Sequence, residues 1–380
     1  MEKQEKKLRI AMLGHKRIPS REGGIEVVVE ELATRMVDLG HEVTVFNRKG
    51  KHVANKTIDT YSIVKEYKGI KIRTVPTIDY KGLSALSSSI FASIFATFGK
   101  FDVIHFHAEG PCAMLWLPHL FGKRTVATIH GLDWQREKWK NGFASKYIKF
   151  GELVAAKYAD EIIVLSKNVQ NYFLETYQRE TKYIPNGVNK PTIKAADEIT
   201  KKFNLHKDEY ILYLGRIVPE KGLRYLINAF KNVDTDKKLV IAGGASDTDE
   251  FLKEIRDLAK DDTRIIFTGF VQGQILQELY SNAYIYTLPS DLEGMPLSLL
   301  EAMSYGNCCL VSDISECQDV VEDKAVLFRK SSQSDIEEKL LDLLKQPQVV
   351  THFKSISANH VESKYNWDFV TQNTLSTYRK

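Results

Sequence analysis

Short runs of apolar residues alternate along this chain with longer segments in which apolar residues recur every three or four positions. The run "LRIAMLG" from Leu8 has the continuous apolar character of a buried strand, and the segment from Gly24 to Leu39 then carries apolar residues at helical spacing. "HEVTVFN" follows as the next apolar run. This opening predicts a β–α–β unit, in which a helix joins two parallel strands.

The same alternation continues through both halves of the chain. The first half adds "DVIHFH", "RTVATIH" and "EIIVLS", and the second half contains "YILYLG", "KLVIAGG", "RIIFTG", "YIYTLP", "CCLVSD" and "AVLF". Continuous apolar runs between helical patterns are typical of parallel sheets that are covered by helices on both faces. The sequence therefore predicts an α/β protein with two Rossmann-like domains that face each other across a cleft.

A turn-rich stretch, "IPNGVNKP" from Ile184, separates the two halves. We place the domain boundary there, which gives an N-terminal domain over residues 1–190 and a C-terminal domain over residues 191–364. The length of 380 residues also favours two domains, because single cores rarely keep growing to this size.

Residues directly after the strands are the first candidates for a site, because ligands of open α/β sheets bind beyond the carboxyl ends of the strands. After the first strand, Gly23 and Gly24 stand before a helix, where a backbone without Cβ atoms can approach a ligand closely. The first strand of the second half leads into "GRIVPEKG", where Arg216 and Lys221 could bind a diphosphate. Neither half has a GxGxxG after its first strand, which argues against a dinucleotide dehydrogenase.

Two glutamates flank a short apolar run in "SDLEGMPLSLLEAMSYG". Pro296 suits the first position of a helix, so the pattern places Glu293 in the preceding loop and Glu301 inside the helix. The two carboxylates can then hold separate parts of one extended ligand. An anionic group suits the helix N-terminus between them.

"GRIVPEKG" followed by "SDLEGMPLSLLEAMSYG" resembles the donor-binding signature of retaining, nucleotide-sugar-dependent glycosyltransferases of the GT-B fold, in the large family four. Nearly the whole chain follows that family's order of motifs. The resemblance implies transfer of a sugar from a nucleoside-diphosphate sugar to a hydroxyl of a saccharide or lipid-linked acceptor, with retention at the anomeric carbon. It further implies a role in capsule, exopolysaccharide or glycolipid synthesis, with UDP as a mild preference and no metal or other cofactor.

The resemblance also assigns roles to individual residues. It implies that Arg216 and Lys221 bind the diphosphate, that Glu301 binds the ribose and that Glu293 binds the transferred sugar. Gly23 and Gly24 would approach the diphosphate from the N-terminal domain, and residues 365–380 would form a helix that crosses back to that domain. The residues between the two glutamates would complete the donor site: Gly294, Met295, Pro296 and Leu297.

His105 and His107 alternate along "VIHFHAEG", so their side chains share one face of a strand. The position of His107 resembles the family's active-site histidine, and we count it as catalytic together with Arg216, Lys221 and Glu293. A metal site would need further ligands at suitable spacing, and we predict none.

The segment "HGLDWQREKWKNGFASKYIKFGE" resembles segments of capsular and exopolysaccharide members of the family, which suggests acceptor binding by His130, Asp133 and Trp134. A core histidine and a partly buried helix start are the competing interpretations. Phe270, in "FTGFV", either packs against the nucleobase or fills the core.

The composition of the chain bears on its possible partners and its cellular compartment. A net charge of +4 with dispersed basic residues argues against a nucleic-acid partner. The four cysteines form no spaced CxxC pair, and no apolar segment follows the charged start "MEKQEKK", so we expect a cytoplasmic protein.

Membrane contact remains a hypothesis. The apolar stretch from Leu83 to Phe98 is interrupted by serines and is too short to span a bilayer, so it is either a buried helix or a membrane-surface helix. Lys81 and Lys100 flank it, and Lys3, Lys6 and Lys7 precede the first strand. These lysines either attract an anionic inner leaflet weakly or only maintain solubility.

Two other functions fit a nucleotide-sugar pocket: a nucleotide-sugar epimerase or hydrolase, and a non-catalytic nucleotide-sugar-binding partner in a polysaccharide assembly complex. The chain also departs from the family pattern. Asn307 stands where proline is usual, and Ser315 and Glu316 occupy positions that are often glycine. The sugar of the donor and the identity of the acceptor stay open.

Overall fold

The computed structural model describes residues 6–49, 64–78, 80, 83–136, 142–244 and 249–379. The chain divides into an N-terminal unit, Met1–Asn186 together with Trp367–Lys380, and a C-terminal unit, Gly187–Asn366. These divisions lie within a few residues of the predicted ones at 190 and 364. Each unit has its own sheet and its own hydrophobic core.

The sheet of the N-terminal unit has the strand order β3-β4-β2-β1-β5-β6-β7-β8. Its strands pair in parallel, except that β3 and β4 are antiparallel. The strands are β1 (Arg9–Leu13), β2 (Glu42–Arg48), β3 (Glu66–Tyr67), β4 (Ile70–Val75), β5 (Val103–His107), β6 (Arg124–Ile129), β7 (Glu161–Val164) and β8 (Lys182–Tyr183). The helices are α1 (Gly24–Asp38), α2 (Leu83–Thr97), α3 (Glu109–Cys112), α4 (Trp116–Leu120), α5 (Phe143–Tyr158), α6 (Lys167–Tyr177) and α15 (Trp367–Tyr378).

The C-terminal helix α15 belongs to the N-terminal unit and packs against α1 and β6. Its buried side chains include Trp367, Val370, Leu375 and Tyr378. The guanidinium of Arg124, at the start of β6, donates a hydrogen bond of 2.8 Å to the carbonyl of Thr377. The end of the chain therefore completes the core of its first unit.

The sheet of the C-terminal unit is parallel and has the strand order β11-β10-β9-β12-β13-β14. Its strands are β9 (Tyr210–Leu214), β10 (Lys238–Ala242), β11 (Ile265–Gly269), β12 (Ile285–Leu288), β13 (Cys308–Ser312) and β14 (Val326–Phe328). Its helices are α7 (Glu198–Phe203), α8 (Leu223–Asn232), α9 (Asp249–Ala259), α10 (Gly273–Asn282), α11 (Leu297–Ser304), α12 (Ser315–Val321), α13 (Gln333–Lys345) and α14 (Pro347–Lys364).

Helix α8 shows how the apolar pattern builds this second core. Leu223, Leu226, Ile227 and Phe230 recur at helical spacing, and all four side chains are buried beneath the sheet. β12 lies next to β9 although β10 and β11 come between them in sequence. The strand order thus reverses at β9, where an α/β sheet forms its binding crevice.

Helix α2 buries four of the serines that interrupt its apolar sequence: Ser87, Ser88, Ser89 and Ser93. The hydroxyls of Ser87 and Ser89 donate to carbonyls one turn earlier, at 2.8 and 2.7 Å, so their polar groups are satisfied within the helix. This geometry supports the buried-helix interpretation of this segment. No helix in the described ranges is long and apolar enough to cross a membrane. Lys3 and Lys81 lie outside the described residues.

Candidate active site

The loop after β9 in the C-terminal unit is shaped by a glycine that no other residue can replace without strain. It carries Arg216 and a 3₁₀ turn, Pro219–Lys221, and ends at Gly222 with φ of +67°. A Cβ atom on Gly222 would lie 1.8 Å from the carbonyl oxygen of Pro289, in the loop after β12. The two loops that carry Lys221 and Glu293 therefore approach closely only because this residue is glycine.

Lys221 and Glu293 form an ion pair between the Lys221 ammonium and Glu293 Oε1. The hydroxyl of Ser290 donates to the same carboxylate oxygen at 2.7 Å. The pair is largely withdrawn from solvent, with 12% and 9% of the two side chains exposed. Two residues that the sequence analysis assigned to different parts of the donor are thus in direct contact, and the carboxylate orients the ammonium.

Arg216 is half-buried, and its backbone is held from two sides. The Tyr213 hydroxyl donates to the Arg216 carbonyl at 2.7 Å, and the next residue, Ile217, donates its N–H to the Gly244 carbonyl at 3.0 Å. These two hydrogen bonds fix the backbone conformation of the loop that carries the Arg216 guanidinium.

Helix α11 begins at Leu297, one residue later than predicted. Pro296 has an extended backbone, with φ of −78° and ψ of 99°, and is the residue before the first turn. Its carbonyl accepts from the N–H groups of Leu299 and Leu300, at 3.1 and 3.2 Å. The first N–H groups of a helix have no acceptor within it, so those of Leu297 and Ser298 can meet an anion. Gly294 and Met295 are buried in the loop before this turn.

The Glu301 carboxylate is held by Tyr280, which belongs to none of the motifs identified in the sequence. The hydroxyl of Tyr280 lies 3.2 Å from Glu301 Oε2 and 3.3 Å from the Ser298 carbonyl. The ring of Tyr280 stacks on that of Tyr305, with centroids 5.2 Å apart. Tyr280 therefore positions the carboxylate that was assigned to the ribose.

The departure at Asn307 has a structural explanation. Its side-chain amide donates to the carbonyls of Tyr280 and Ala302, at 2.9 and 3.0 Å, and its backbone N–H also donates to Ala302 at 3.2 Å. Proline has neither donor. Asn307 thus ties the end of α11 to the helix that carries Tyr280.

Phe270, directly after β11, is 38% exposed, which disfavours the core-filling interpretation of its ring. A surface aromatic at the end of a strand can stack on a base, and this assignment stays a prediction.

In the N-terminal unit, His105 is a structural histidine. Its Nδ1 lies 2.7 Å from the Tyr378 hydroxyl on α15, and its Nε2 lies 2.7 Å from the Thr128 hydroxyl on β6. Burial is the main reason that the pKa of His105 falls to about 3. Both ring nitrogens are used, so this residue is not available to a ligand.

His107 shares the strand face of His105, with ring centroids 4.1 Å apart. Its Nδ1 lies 3.2 Å from Nε2 of His130, which follows β6, while its Nε2 is buried with no hydrogen-bond partner among the described residues. Burial lowers the pKa of His107 well below its ordinary value and that of His130 to about 4. A neutral imidazole with one nitrogen still to be satisfied is suited to a hydroxyl ligand.

The Gly23–Gly24 loop closes on a buried carboxylate that the sequence analysis missed. Glu26 accepts the Lys16 N–H at 2.8 Å, and a Cβ atom on Gly23 would lie 2.3 Å from its other oxygen. A side chain at Gly23 would therefore require the Glu26 side chain to shift. Gly24 is the first residue of α1.

Asp133 and Trp134 lie in a 3₁₀ turn, Asp133–Gln135, whose polar groups are already engaged. The Asp133 N–H donates to Glu109 at 2.8 Å, and the Trp134 indole N–H donates to Glu152 at 3.1 Å. The ammonium of Lys149 covers the Trp134 ring at 4.0 Å. These contacts agree with a partly buried turn. The second tryptophan of this segment, Trp139, lies outside the described residues.

Within the described part of the chain, no group of three or more His, Cys, Asp or Glu side chains is placed to hold a metal ion. The cysteines are free and buried, and burial raises the pKa of Cys308 to about 12.

Two protein-family models match the chain. Residues 22–190 match "Glycosyltransferase Family 4", and residues 195–360 match "Glycosyl transferases group 1". Together they span both units.

The chain is similar to whole proteins over nearly its full length. An uncharacterized glycosyltransferase of Methanocaldococcus jannaschii is 24% identical, over 98% of each chain. The sucrose-phosphate synthase structure from Thermosynechococcus elongatus superposes with a TM-score of 0.82, 19% identity and 98% coverage of each chain. The structure of Anabaena HepE in complex with UDP-glucose superposes with a TM-score of 0.80 and 16% identity, and the match covers 97% of this chain and 99% of HepE. These solved structures share the GT-B fold with this chain.

Proposed function

The chain belongs to the family-four glycosyltransferases, which are retaining, nucleotide-sugar-dependent enzymes of the GT-B fold, and on this premise we propose that it transfers a sugar from a UDP-sugar to a hydroxyl of a saccharide or lipid-linked acceptor. The observation that carries the proposal is the cluster in the C-terminal unit. There the Lys221–Glu293 pair stands beside the start of α11, and Glu301 follows within that helix. The UDP-glucose complex of HepE supports the choice of uridine.

Charge on the departing diphosphate is the main electrostatic problem of such a transfer. Arg216, Lys221 and the first N–H groups of α11 present positive charge and dipoles from a fixed scaffold, and they stabilise this charge in the transition state. Lysine has three N–H donors, so Lys221 can hold Glu293 and a phosphate oxygen together. Glu301, oriented by Tyr280, accepts hydrogen bonds from the ribose hydroxyls.

Glu293 binds the transferred sugar and does not act as a nucleophile. An ion pair with Lys221 and a hydrogen bond from Ser290 stabilise its negative charge and reduce its tendency to attack carbon. Retention then arises by attack on the same face as the leaving group, with the departing phosphate oxygen taking the proton of the acceptor hydroxyl. No protein nucleophile is needed in this scheme.

The N-terminal unit provides the acceptor side. His107 contacts the sugar that is transferred, and its Nε2, which has no partner in the described ranges, is the atom that supports this role. His130, Asp133 and Trp134 line the acceptor position, and Gly23 and Gly24 approach the diphosphate. Neutral histidines suit sugar hydroxyls, which both donate and accept hydrogen bonds.

A thermal-shift panel of nucleoside diphosphates and their sugars tests the donor assignment. A ligand at a hundred times its Kd stabilises the native state by about 2.7 kcal/mol, and we expect UDP and one UDP-sugar to give the largest shifts. Product analysis with and without an added saccharide then separates the reactions. An epimerised or hydrolysed sugar formed at full rate without acceptor, or binding without turnover, would refute transfer.

We also propose that the enzyme is cytoplasmic and binds the inner membrane face weakly, in the synthesis of a capsule, exopolysaccharide or glycolipid. Four exposed side chains of the N-terminal unit support membrane contact: Phe98, Trp116, Leu120 and Phe121. Phe98 and Phe121 pack edge to face at 5.1 Å where α2 meets α4, and Lys100 is close by in sequence. Aromatic rings beside a lysine suit a headgroup interface.

Vesicle co-sedimentation tests this contact. Binding should need anionic lipid, weaken with salt, and fall for Leu120→Ser, Phe121→Ser and Lys100→Glu, while a matched Leu174→Ser change at an exposed site on α6 should have no effect. Absence of binding to every vesicle composition would refute the membrane proposal and leave the transferase proposal intact.

A further inference from the structure

Two fully buried glutamates of the N-terminal unit lie side by side and are not used by the proposed reaction. Glu109 is the first residue of α3, two positions after His107, and Glu152 lies in α5. Gly151 brings the two helices together, since a Cβ atom there would lie 2.0 Å from the Glu109 carbonyl oxygen. Close backbone packing thus joins the two helices that carry these glutamates.

Glu152 is surrounded by hydrogen-bond donors. The indole N–H of Trp134 donates to its Oε2 at 3.1 Å, and the hydroxyls of Tyr172 and Tyr177 both donate to its Oε1. An ionised carboxylate can accept about four hydrogen bonds. Three of these are used by the Trp134, Tyr172 and Tyr177 donors, which leaves room for a fourth.

Glu109 lacks such donors. Its Oε2 accepts the Asp133 N–H at 2.8 Å, while its Oε1 is buried without a partner in the described part of the chain. The pKa of Glu109 is raised well above its ordinary value, first because it is buried and then because Asp133 and Glu152 oppose a second negative charge. The side chain reaches Glu152, so the carboxyl group has an acceptor for a proton of its own.

We propose that Glu109 and Glu152 share a single proton, which Glu109 donates to Glu152 as the fourth hydrogen bond of that carboxylate, and that this pair positions the turn Asp133–Gln135. The pair ties two consecutive residues of the turn, since Glu109 holds the Asp133 backbone and Glu152 holds the Trp134 ring. Glu109 and Glu152 are positioning residues that touch no substrate. Their role on the acceptor side rests on the proposed function of this turn.

The backbone between His107 and Glu109 supports a role beyond packing. Ala108 has φ of +73° and ψ of 158°, a conformation that L residues rarely adopt. Such strain persists only where the surrounding structure compensates for it, and it is concentrated at functional sites. It turns the chain so that His107 ends the strand while Glu109 enters the core.

Three substitutions distinguish a shared proton from simple packing. In Glu109→Gln the amide carbonyl can still accept the Asp133 N–H and the NH₂ can still donate to Glu152, so we expect the unfolding temperature to stay within about 2 °C of wild type. Glu109→Ala removes both bonds. Glu152→Gln turns an NH₂ group toward N–H or O–H donors, and both changes should lower the unfolding temperature by roughly 5 °C or more. Glu175→Gln, on the exposed surface of α6, is the matched control.

Infrared difference spectra of wild type minus Glu109→Gln at pH 7 observe the proton directly. We expect the carbonyl stretch of a protonated carboxylic acid, sensitive to exchange into D₂O and missing from the Glu175→Gln difference spectrum. Absence of that band, or a Glu109→Gln variant as unstable as Glu109→Ala, would overturn the proposal.

Amide hydrogen exchange and transfer kinetics test whether the Glu109–Glu152 pair positions the turn Asp133–Gln135. In Glu109→Ala, amides in residues 131–136 should exchange at least about tenfold faster, and sugar transfer should slow about tenfold, while the Kd for UDP stays within about twofold. Glu109→Gln should restore both values. Unchanged exchange in this segment would refute the positioning role. If wild type bound no nucleoside diphosphate, the proposed function would fail while the infrared and exchange results still decided the carboxyl pair.

Discussion

The two units place opposite kinds of chemistry at the carboxyl ends of similar parallel sheets. In the C-terminal unit, the loops after β9 and β12 bring together a lysine and a glutamate as an ion pair. In the N-terminal unit, the residues at the ends of β1, β5 and β6 include three buried histidines with lowered pKa values: His15, His107 and His130. We call the first the charged edge, after its ion pair, and the second the neutral edge, after its three neutral imidazoles.

The difference matches the two halves of a sugar transfer. A diphosphate leaving group gains negative charge, which requires permanent positive charge and aligned N–H dipoles. A sugar hydroxyl stays neutral until it reacts, and neutral imidazoles bind it without the cost of burying an ion. On the proposed function the same fold serves two ligands because the side chains after the strands differ, so substitutions at each edge should have different consequences.

The largest effect should come from removing positive charge at the C-terminal edge. We expect Lys221→Ala and Arg216→Ala each to slow sugar transfer by about 10²-fold or more, because both side chains act on charge that grows in the transition state. Steady-state kinetics with the donor identified by thermal shift measures this. Lys253→Ala, at an exposed position on α9, is the control.

Lys221→Ala also leaves Glu293 largely buried, with Ser290 as its remaining hydrogen-bond partner among the described residues, so the unfolding of this variant must be measured in parallel. If folded Lys221→Ala and Arg216→Ala proteins both kept full activity, the charged edge would not be the diphosphate site.

Glu301 and Glu293 should separate the parts of the donor. Glu301→Ala should weaken UDP binding by roughly 10- to 150-fold, since hydrogen bonds between a carboxylate and the ribose are worth about 1.5–3 kcal/mol. Glu293→Ala should weaken UDP-glucose more than UDP, and it should retain a smaller effect on UDP because Glu293 orients Lys221. Calorimetry with both ligands, and with Glu250→Ala as an exposed control, decides. Equal losses of affinity for UDP and UDP-glucose in both variants would contradict separate roles for Glu301 and Glu293.

The neutral edge should make the protein sensitive to acid. Burial lowers the pKa of His15 and His130 to about 4 and that of His105 to about 3. Below the ordinary pKa of about 6.5, the unfolded chain therefore binds more protons than the folded one, and stability falls with falling pH. Each histidine should cost roughly 1 kcal/mol between pH 7 and pH 5.5.

His107, whose pKa is also lowered, adds to this loss, while the raised pKa of Glu109 acts in the opposite sense, so we expect denaturant titrations to show a net loss of stability that is smaller than the sum of the histidine contributions. His15→Gln, which cannot gain a proton, should remove about 1 kcal/mol of that loss. The same loss between pH 7 and pH 5.5 in His15→Gln and wild type would contradict a buried, neutral His15.

The smallest effect concerns the contact between the end of the chain and the neutral edge. Tyr378→Phe leaves Nδ1 of the buried His105 without its partner at 2.7 Å, and we expect a loss of about 1–2 kcal/mol in unfolding free energy. Tyr80→Phe, at a 67% exposed position, should change stability by less than about 0.5 kcal/mol. Equal stability of both variants and wild type would show that the hydrogen bond contributes nothing.

The local sequence pattern was sufficient to predict the strands and helices and most of the residues at the charged edge. Apolar runs predicted β1, β5, β6, β9 and β12, and turn chemistry put Glu293 in a loop and Glu301 in a helix, as observed. The predicted start of α11 was wrong by one residue, because a proline can equally take the extended conformation before the first turn. The contact between Lys221 and Glu293 was not predicted, since it depends on the close approach at Gly222.

What the sequence by itself determined was the order of elements and the residue types that follow each strand, because hydrophobic period and turn chemistry act between neighbours in the chain. What only the tertiary structure decided was which of these side chains have partners. Nδ1 of His105 pairs with the Tyr378 hydroxyl, 273 residues away, while Nε2 of His107 has no hydrogen-bond partner in the described parts of the chain. Both histidines look alike in "VIHFHAEG", and the partners that distinguish them come from chain segments that meet only when the sheet and α15 have packed.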